Sequence, residues 1–346
     1  LVQLVLYLGI LPLSLALMNN EQLEDWIASL NELWKTPEKK FENWRKIMMD
    51  VAPNMQILIN YMSVNFEDVR LSQPIIAQLL ALYYKLGVAR CFVLQLVPGL
   101  INSYLISLSK KWRNCADVFE MFFLAIYNEE ILAGGTGSPS MVKKVEEIRI
   151  PSVHYPSIYH DPAKLNTLPP EILQLKFNSN KACVQNTVRV GPYPAVDRII
   201  AENRYLILTR LIRAVNSLMN QMAVDVVCRS MCLSLLNICR SGFSFNESDF
   251  RQRILKESAS EEIFGDFARK TRISVSPHFL IECLNGINFS LFNGQADIAL
   301  RALDAIHQRA QYEMFPDVLL ETNALRNSLL DPHTLKMLID SEKIGC

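Results

Sequence analysis

Residues 276–330 read SPHFLIECLNGINFSLFNGQADIALRALDAIHQRAQYEMFPDVLLETNALRNSLL, and their periodicity decides the fold class. Phe279, Leu280, Ile281, Cys283, Leu284, Ile287, Phe289, Leu291 and Phe292 leave hardly any polar face, which predicts a helix buried nearly all round. Asn293-Gly294 then turns the chain. In the next helix Ala299, Ala302, Leu303, Ile306 and Ala310 recur at helical spacing, and Arg301, Asp304, Gln308 and Gln311 are assigned to a charged outer face. Pro316 and Asp317 suit the first turn of a third helix, which ends before Asp331-Pro332. Three packed helices with almost no place for chemistry form a scaffold or binding module more often than a catalytic site.

At 346 residues and 50% hydrophobic, the chain can bury a large core, and length alone allows one to three domains. Lys plus Arg total 35 and Asp plus Glu total 35, so no net positive field draws in nucleic acid or anionic lipid. The basic runs Lys110-Lys111-Trp112-Arg113 and Lys143-Lys144 are short and read as solvated faces. Most of the eight cysteines sit in apolar helical runs, where thiols pack as small hydrophobes. Cys228, Cys232 and Cys239 share a helix face but have no histidine or CxxC pair at ligand spacing, so core thiols in a reducing compartment are expected, with no metal. Residues 1–17 are apolar and uncharged but lack a basic flank and are short for a membrane span; they are expected to lie outside the fold.

From Glu21 to Lys111 the pattern is helical throughout. Ser72 with Pro74 is read as a helix start, and the apolar run from Cys91 to Leu108 as a core helix broken at Pro98-Gly99, not as a membrane span. One more helix occupies 118–132 before a Gly-rich stretch. Short β-like runs at Val145, Ile148 and Ile150 and at Val188 and Val190 could pair, flanking the rigid loop IPSVHYPSIYHDP at 150–162. Gly191-Pro192-Tyr193-Pro194 forms a second rigid turn. Helices resume from Ala195, one defined by Ile199, Ile200, Leu206, Ile207, Leu211 and Val215 and a second from Met222 to Arg240, and 242–272 is read as a mobile connection. The expected architecture is mainly α: a single helical domain of packed antiparallel helices over 18–330, with a small β hairpin or ribbon insertion at about 143–194 and a short remnant at 331–346.

Chemistry is sparse. Gly134-Gly135-Thr136-Gly137 follows a helix, not a strand, and lacks the Lys-Ser/Thr of a phosphate loop. His154 and His160 lack a third ligand and the helical spacing of a metalloprotease pair. Glu129-Glu130 is assigned to solvent, and His278, His307 and His333 are read as structural. No catalytic residue, metal ligand or cofactor site is assigned.

Four blocks together resemble the hyccin family: Leu124-Ala-Ile-Tyr-Asn-Glu-Glu-Ile-Leu132, the proline loop at 150–162, GPYPAVDRIIAENRYLILTRLIRAVN at 191–216, and 275–330. The residues that carry the pattern include Pro151, Pro156, Pro162, Gly191, Pro192, Pro194, Asn203, Arg204, Asn293 and Gly294. The resemblance implies a non-catalytic subunit of the plasma-membrane phosphatidylinositol 4-kinase type III alpha complex. It would bind a tetratricopeptide-repeat scaffold that holds the kinase catalytic subunit, with a palmitoylated membrane-anchor protein as an indirect partner. It would act in the cytosol and at the cytoplasmic face of the plasma membrane, supporting phosphatidylinositol 4-phosphate synthesis. Family members usually carry a long C-terminal tail. Within this reading Tyr155, Ile158, Tyr159 and His160 are the candidate partner contacts, because a rigid loop binds with little ordering cost. The competing class is a helical trafficking adaptor or interaction module unrelated to the kinase, and a third is an all-helical enzyme with a lipid-like substrate in the apolar core, which would require a cavity with convergent polar groups.

Overall fold

A computed structural model describes residues 44–84, 88–131, 145–149, 187–245, 248–255 and 266–344, and it is mainly helical. Where the sequence suggests one domain, the chain divides into two compact units: Leu1–Tyr127 with Val196–Cys346, and Asn128–Ala195. In the first unit the helices are α1 (Trp44–Asn65), α2 (Val69–Tyr83), α3 (Val88–Leu94), α4 (Val97–Ser109), and α5 (Arg113–Glu130), whose last turn enters the second unit. They continue as α6 (Arg204–Leu218), α7 (Val224–Arg240), α8 (Asp249–Ile254), α9 (Pro277–Leu291), α10 (Ala296–Glu313), α11 (Pro316–Leu329) and α12 (Pro332–Ile344). In the second unit β1 (Glu146–Arg149) pairs antiparallel with β2 (Thr187–Val190), Glu146 opposite Val190.

Several helix ends differ from the sequence reading. α2 starts at Asp68, whose carboxylate accepts from the Arg70 amide at 2.9 Å, so Pro74 sits one turn inside the helix and removes one backbone bond there. The apolar run breaks not at Pro98-Gly99 but at Gln95-Leu96; Pro98 instead falls in the first turn of α4, where its missing N–H costs nothing. Gln95 is fully buried at the break, and its Oε1 accepts from the Ala223 amide at 3.3 Å, tying the break to the start of α7. The stretch Ala89–Ser109 is long and apolar enough to cross a membrane by composition, but 83% of that window is buried against the protein. α6 begins at Arg204, not at Ala195, because Asn203 folds back: its Oδ1 accepts from the Ile200 amide at 2.8 Å and its Nδ2 donates to Arg198 O at 3.0 Å.

α7 is the centre of the first unit, packed against α4, α9 and α10. Val226, Val227, Met231, Leu235, Leu236 and Ile238 are buried along it. Two glycines let neighbours approach it. A Cβ on Gly99 of α4 would lie 3.3 Å from Ser230 Oγ, and one on Gly286 of α9 would lie 3.2 Å from Met231 Cε and 2.9 Å from Asn216 Oδ1.

The described parts of 242–272 are not the loose connection expected. Phe243, Phe250, Ile254 and Phe267 are buried, and the Gly242 amide donates to Phe267 O at 2.8 Å. Their scattered aromatic spacing has no helical period, so only the tertiary packing reveals them as anchors. The remnant at 331–346 holds α12: the Asp331 carboxylate accepts from the amides of His333 and Thr334 at 3.1 and 3.0 Å, which makes Asp331-Pro332 a helix start as well as a stop.

Candidate functional site

Tyr155, Ile158, Tyr159, His160, Pro151, Pro156 and Pro162 lie outside the described residues. The other motif residues are local structural devices. Gly191 has φ 110°, Asn203 holds the turn that precedes α6, and Gly294 at φ 74° turns the chain between α9 and α10 while Asn293 Nδ2 donates to Phe289 O at 2.7 Å. Arg204 Nε donates to Tyr104 Oη at 3.2 Å, and that phenol donates to Glu120 at 2.8 Å, which joins α6, α4 and α5. Burial, with the Glu120 carboxylate beside it, pushes the Tyr104 phenol well above its usual range, so it stays protonated and able to donate.

The face of α10 assigned to solvent is covered in part: Gln311 is exposed and Gln308 half-buried, but its two charged residues are buried. Arg301 and Asp304 are 8% exposed, His307 is buried and Arg309 is 0% exposed. α8 and the chain around Phe243 lie over this face, so its charges are paired inside the protein. Arg309 donates to Ile273 O at 2.6 Å and Cys239 O at 3.5 Å, pairs with Glu313 at 2.7 Å and stacks over Phe243. Asp304 accepts from the Ser248 hydroxyl at 2.6 Å and amide at 3.2 Å, and from Gln308 at 3.1 Å. Asp297 bridges Arg251 and Arg301.

His307 sits between two partners that set its tautomer. The Thr322 hydroxyl donates to Val318 O at 2.8 Å, so the 2.9 Å contact to His307 is donated by Nδ1–H, leaving Nε2 to accept from Gln311 at 3.2 Å. Burial, and Arg326 next, push its pKa below the ordinary value, with Asp304 opposing; the ring is neutral at pH 7. Glu129 and Glu130, also assigned to solvent, are each 7% exposed. Adjacent residues on a helix point about 100° apart, so burial of both means the end of α5 is covered on two sides.

Cys228, Cys232, Cys239 and Cys283 are free and buried. Burial pushes the first three up to about 12, and Cys283 well above the thiol range, which keeps them protonated and unreactive at neutral pH. Among the described residues no group of three or more His, Cys, Asp or Glu side chains is placed to hold a metal. Two clefts in the first unit enclose about 20 and 10 Å³, the first beside Arg240, Arg251 and Asp304 and the second among Leu58, Met62 and Leu100.

Among the described residues Met121 of α5 is 57% exposed, and several further exposed apolar side chains lie in the last elements. Met314 is 78% exposed, Leu320 74%, Met337 55% and Leu330 51%. They belong to α11, α12 and the residues that flank α11, and α11 and α12 pack against each other. The sequence reading gave the apolar residues of the closing helices to the core. That holds for α9 and α10, but α11 buries only Val318, Thr322 and Leu329. The available signal was the weak amphipathic pattern of α11, whose Leu319, Leu320 and Leu325 cannot all face one neighbour. The family model described as Hyccin matches residues 48–342, well over half of the chain.

Proposed function

We propose, from the premise that this chain belongs to the hyccin family, that it is a non-catalytic subunit that docks on a tetratricopeptide-repeat scaffold and thereby stabilises a phosphatidylinositol 4-kinase type III alpha complex. The catalytic subunit then carries the chemistry, a palmitoylated anchor recruits the assembly indirectly, and this chain supports phosphatidylinositol 4-phosphate synthesis at the cytoplasmic face of the plasma membrane. The observation that supports docking is the exposure of Leu320, Leu330 and Met337 on two adjoining helices, a place where apolar area is available for a helix-lined groove. The proline loop with Tyr155 and Tyr159 is a second contact on this reading.

Co-purification of the tagged full chain from cells tests it. Recovery of the kinase catalytic subunit and its repeat scaffold supports the assignment, and recovery of coat or sorting proteins in their place selects the trafficking adaptor. The double variants Leu320→Ser with Met337→Ser, and Tyr155→Ala with Tyr159→Ala, then divide the contact between the closing helices and the loop. Scaffold capture unchanged in both, with the variants folded, rejects these two surfaces.

A further inference from the structure

Among the described tyrosines only Tyr84 and Tyr312 are exposed. Lys85 follows Tyr84, whereas Glu313 follows Tyr312, so only the second has the adjacent carboxylate that acid-directed tyrosine kinases read. Tyr312 also carries a cation at its hydroxyl. Arg272 Nη1 donates to Tyr312 Oη at 2.9 Å, and the guanidinium stands over the rings of Phe243 and Tyr312, with centroids at 4.3 and 4.9 Å. Among the described residues no carboxylate pairs with Arg272. The chain fixes it from behind: Ile273 is buried, the Ile273 carbonyl accepts from Arg309 at 2.6 Å, and Gly242 makes room, since a Cβ there would lie 2.9 Å from Arg272 Cα. The acceptor segment can open. Tyr312 lies in the last turn of α10, Met314 beyond it holds φ 59°, and the amides of Met314 and Phe315 both end on Ala310 O. Extending 312–315 into a kinase cleft gives up those two bonds and releases the left-handed residue.

We propose that Tyr312 is a site of reversible phosphorylation by a tyrosine kinase that favours an acidic neighbour, and that Arg272 receives the phosphate. The phosphoryl donor is MgATP: Oη attacks Pγ, the bond from Pγ to its bridging oxygen breaks, ADP leaves, and the phenolic proton passes to the catalytic carboxylate of the kinase. The product carries close to two negative charges at pH 7. Arg272 exchanges its single bond to the phenol for a forked, charged pair with the phosphoryl oxygens. Two features oppose the added charge, the Glu313 carboxylate and the carbonyl end of α10. Glu313 is paired with Arg309 at 2.7 Å, and the helix-end effect is small at an exposed position, so the anchored guanidinium decides. The site does not depend on the scaffold reading, and either can fail without the other.

The folded full chain, incubated with MgATP and the catalytic domain of an acid-directed tyrosine kinase, tests the acceptor. Expected by mass spectrometry is phosphate on the tryptic peptide Ala310–Arg326, in which Tyr312 is the one tyrosine, gained faster than on Tyr84. A folded chain that stays unlabelled at Tyr312, or is labelled no faster there than at Tyr84, overturns the site, whether or not the free peptide is labelled. The receptor is tested on the phosphorylated protein. Its phosphorus resonance should titrate below the ordinary second ionisation of about 6, and Arg272→Gln should return it to that value. A tyrosine phosphatase should remove the phosphate about tenfold faster from Arg272→Gln, the size of one charged hydrogen bond. If that variant does not fold, Arg272→Lys, which keeps the charge and loses the fork, should give a smaller change in the same direction. Equal titration with and without the arginine overturns the role of Arg272.

Discussion

α10 and α11 follow one another and pack together, yet 13 of the 18 residues of α10 are buried against three of the 14 of α11. The buried helix is not the more apolar in kind. α10 takes Arg301, Asp304, His307 and Arg309 into the protein, while α11 leaves Leu320 in solvent. What differs is the company. α10 packs against α7, α8, α9 and α11; among the described elements α11 packs against α9, α10 and α12. Burial follows the number of covering elements, and a charge in the covered helix is tolerated because partners come with it.

The sharpest way to break that contrast is Arg309→Leu. It removes the donor to two carbonyls and strands Glu313, so a loss of about 3 kcal/mol or more is expected in chemical denaturation. A neutral result would mean that the polar network of α10 is incidental. Leu338→Ala comes next, since Leu338 in α12 is fully buried. About 2 kcal/mol should be lost, and hydrogen exchange should rise in α12 while α10 stays protected. Met314 ends α10 with φ 59°, a left-handed conformation that costs an ordinary residue. Met314→Gly should therefore stabilise by about 1 kcal/mol in the same assay.

A smaller, pH-dependent effect belongs to His307. Its folded pKa is depressed, so the unfolded chain binds the proton first. The stability it contributes is present above the unfolded value of about 6.5 and is lost as pH falls through the folded pKa. Midpoints measured from pH 7 down to pH 5 should fall less steeply for His307→Gln than for the wild type. Leu320→Ser should change stability least, within about 0.5 kcal/mol, while lowering scaffold capture. If it unfolds the protein instead, Leu320 belongs to the core and the exposed surface is misassigned.

The helices were legible where one apolar face repeats, and their punctuation was legible where a side chain acts locally: Pro277, Gly294 and Pro316 stand at boundaries the sequence marks. The break at Gln95 was not, because its cause is the amide of Ala223, distant in sequence. Nor was the burial of Arg301 and Asp304. Periodicity separates charged from apolar faces, but the cover over the charged face is supplied by Phe243, Phe250 and α8, which have no regular spacing. The same cover creates the arginine-lined cleft, whose members come from α7, α8 and α10 and share no motif. The loop residues chosen as partner contacts, Tyr155, Ile158, Tyr159 and His160, lie outside the described residues.

The two glycine contacts of α7 carry one more meaning. Ser230 faces Gly99 and its sequence neighbour Met231 faces Gly286, so two consecutive side chains index the helix against segments drawn from opposite ends of the chain. Sliding α7 along either neighbour would move Ser230 and Met231 off the glycines that make room for them. Its register is thus read twice, once by each half, and an error accepted by one is vetoed by the other. The N-terminal and C-terminal parts of the first unit should consequently melt together, as a lock whose two wards turn on the same bolt.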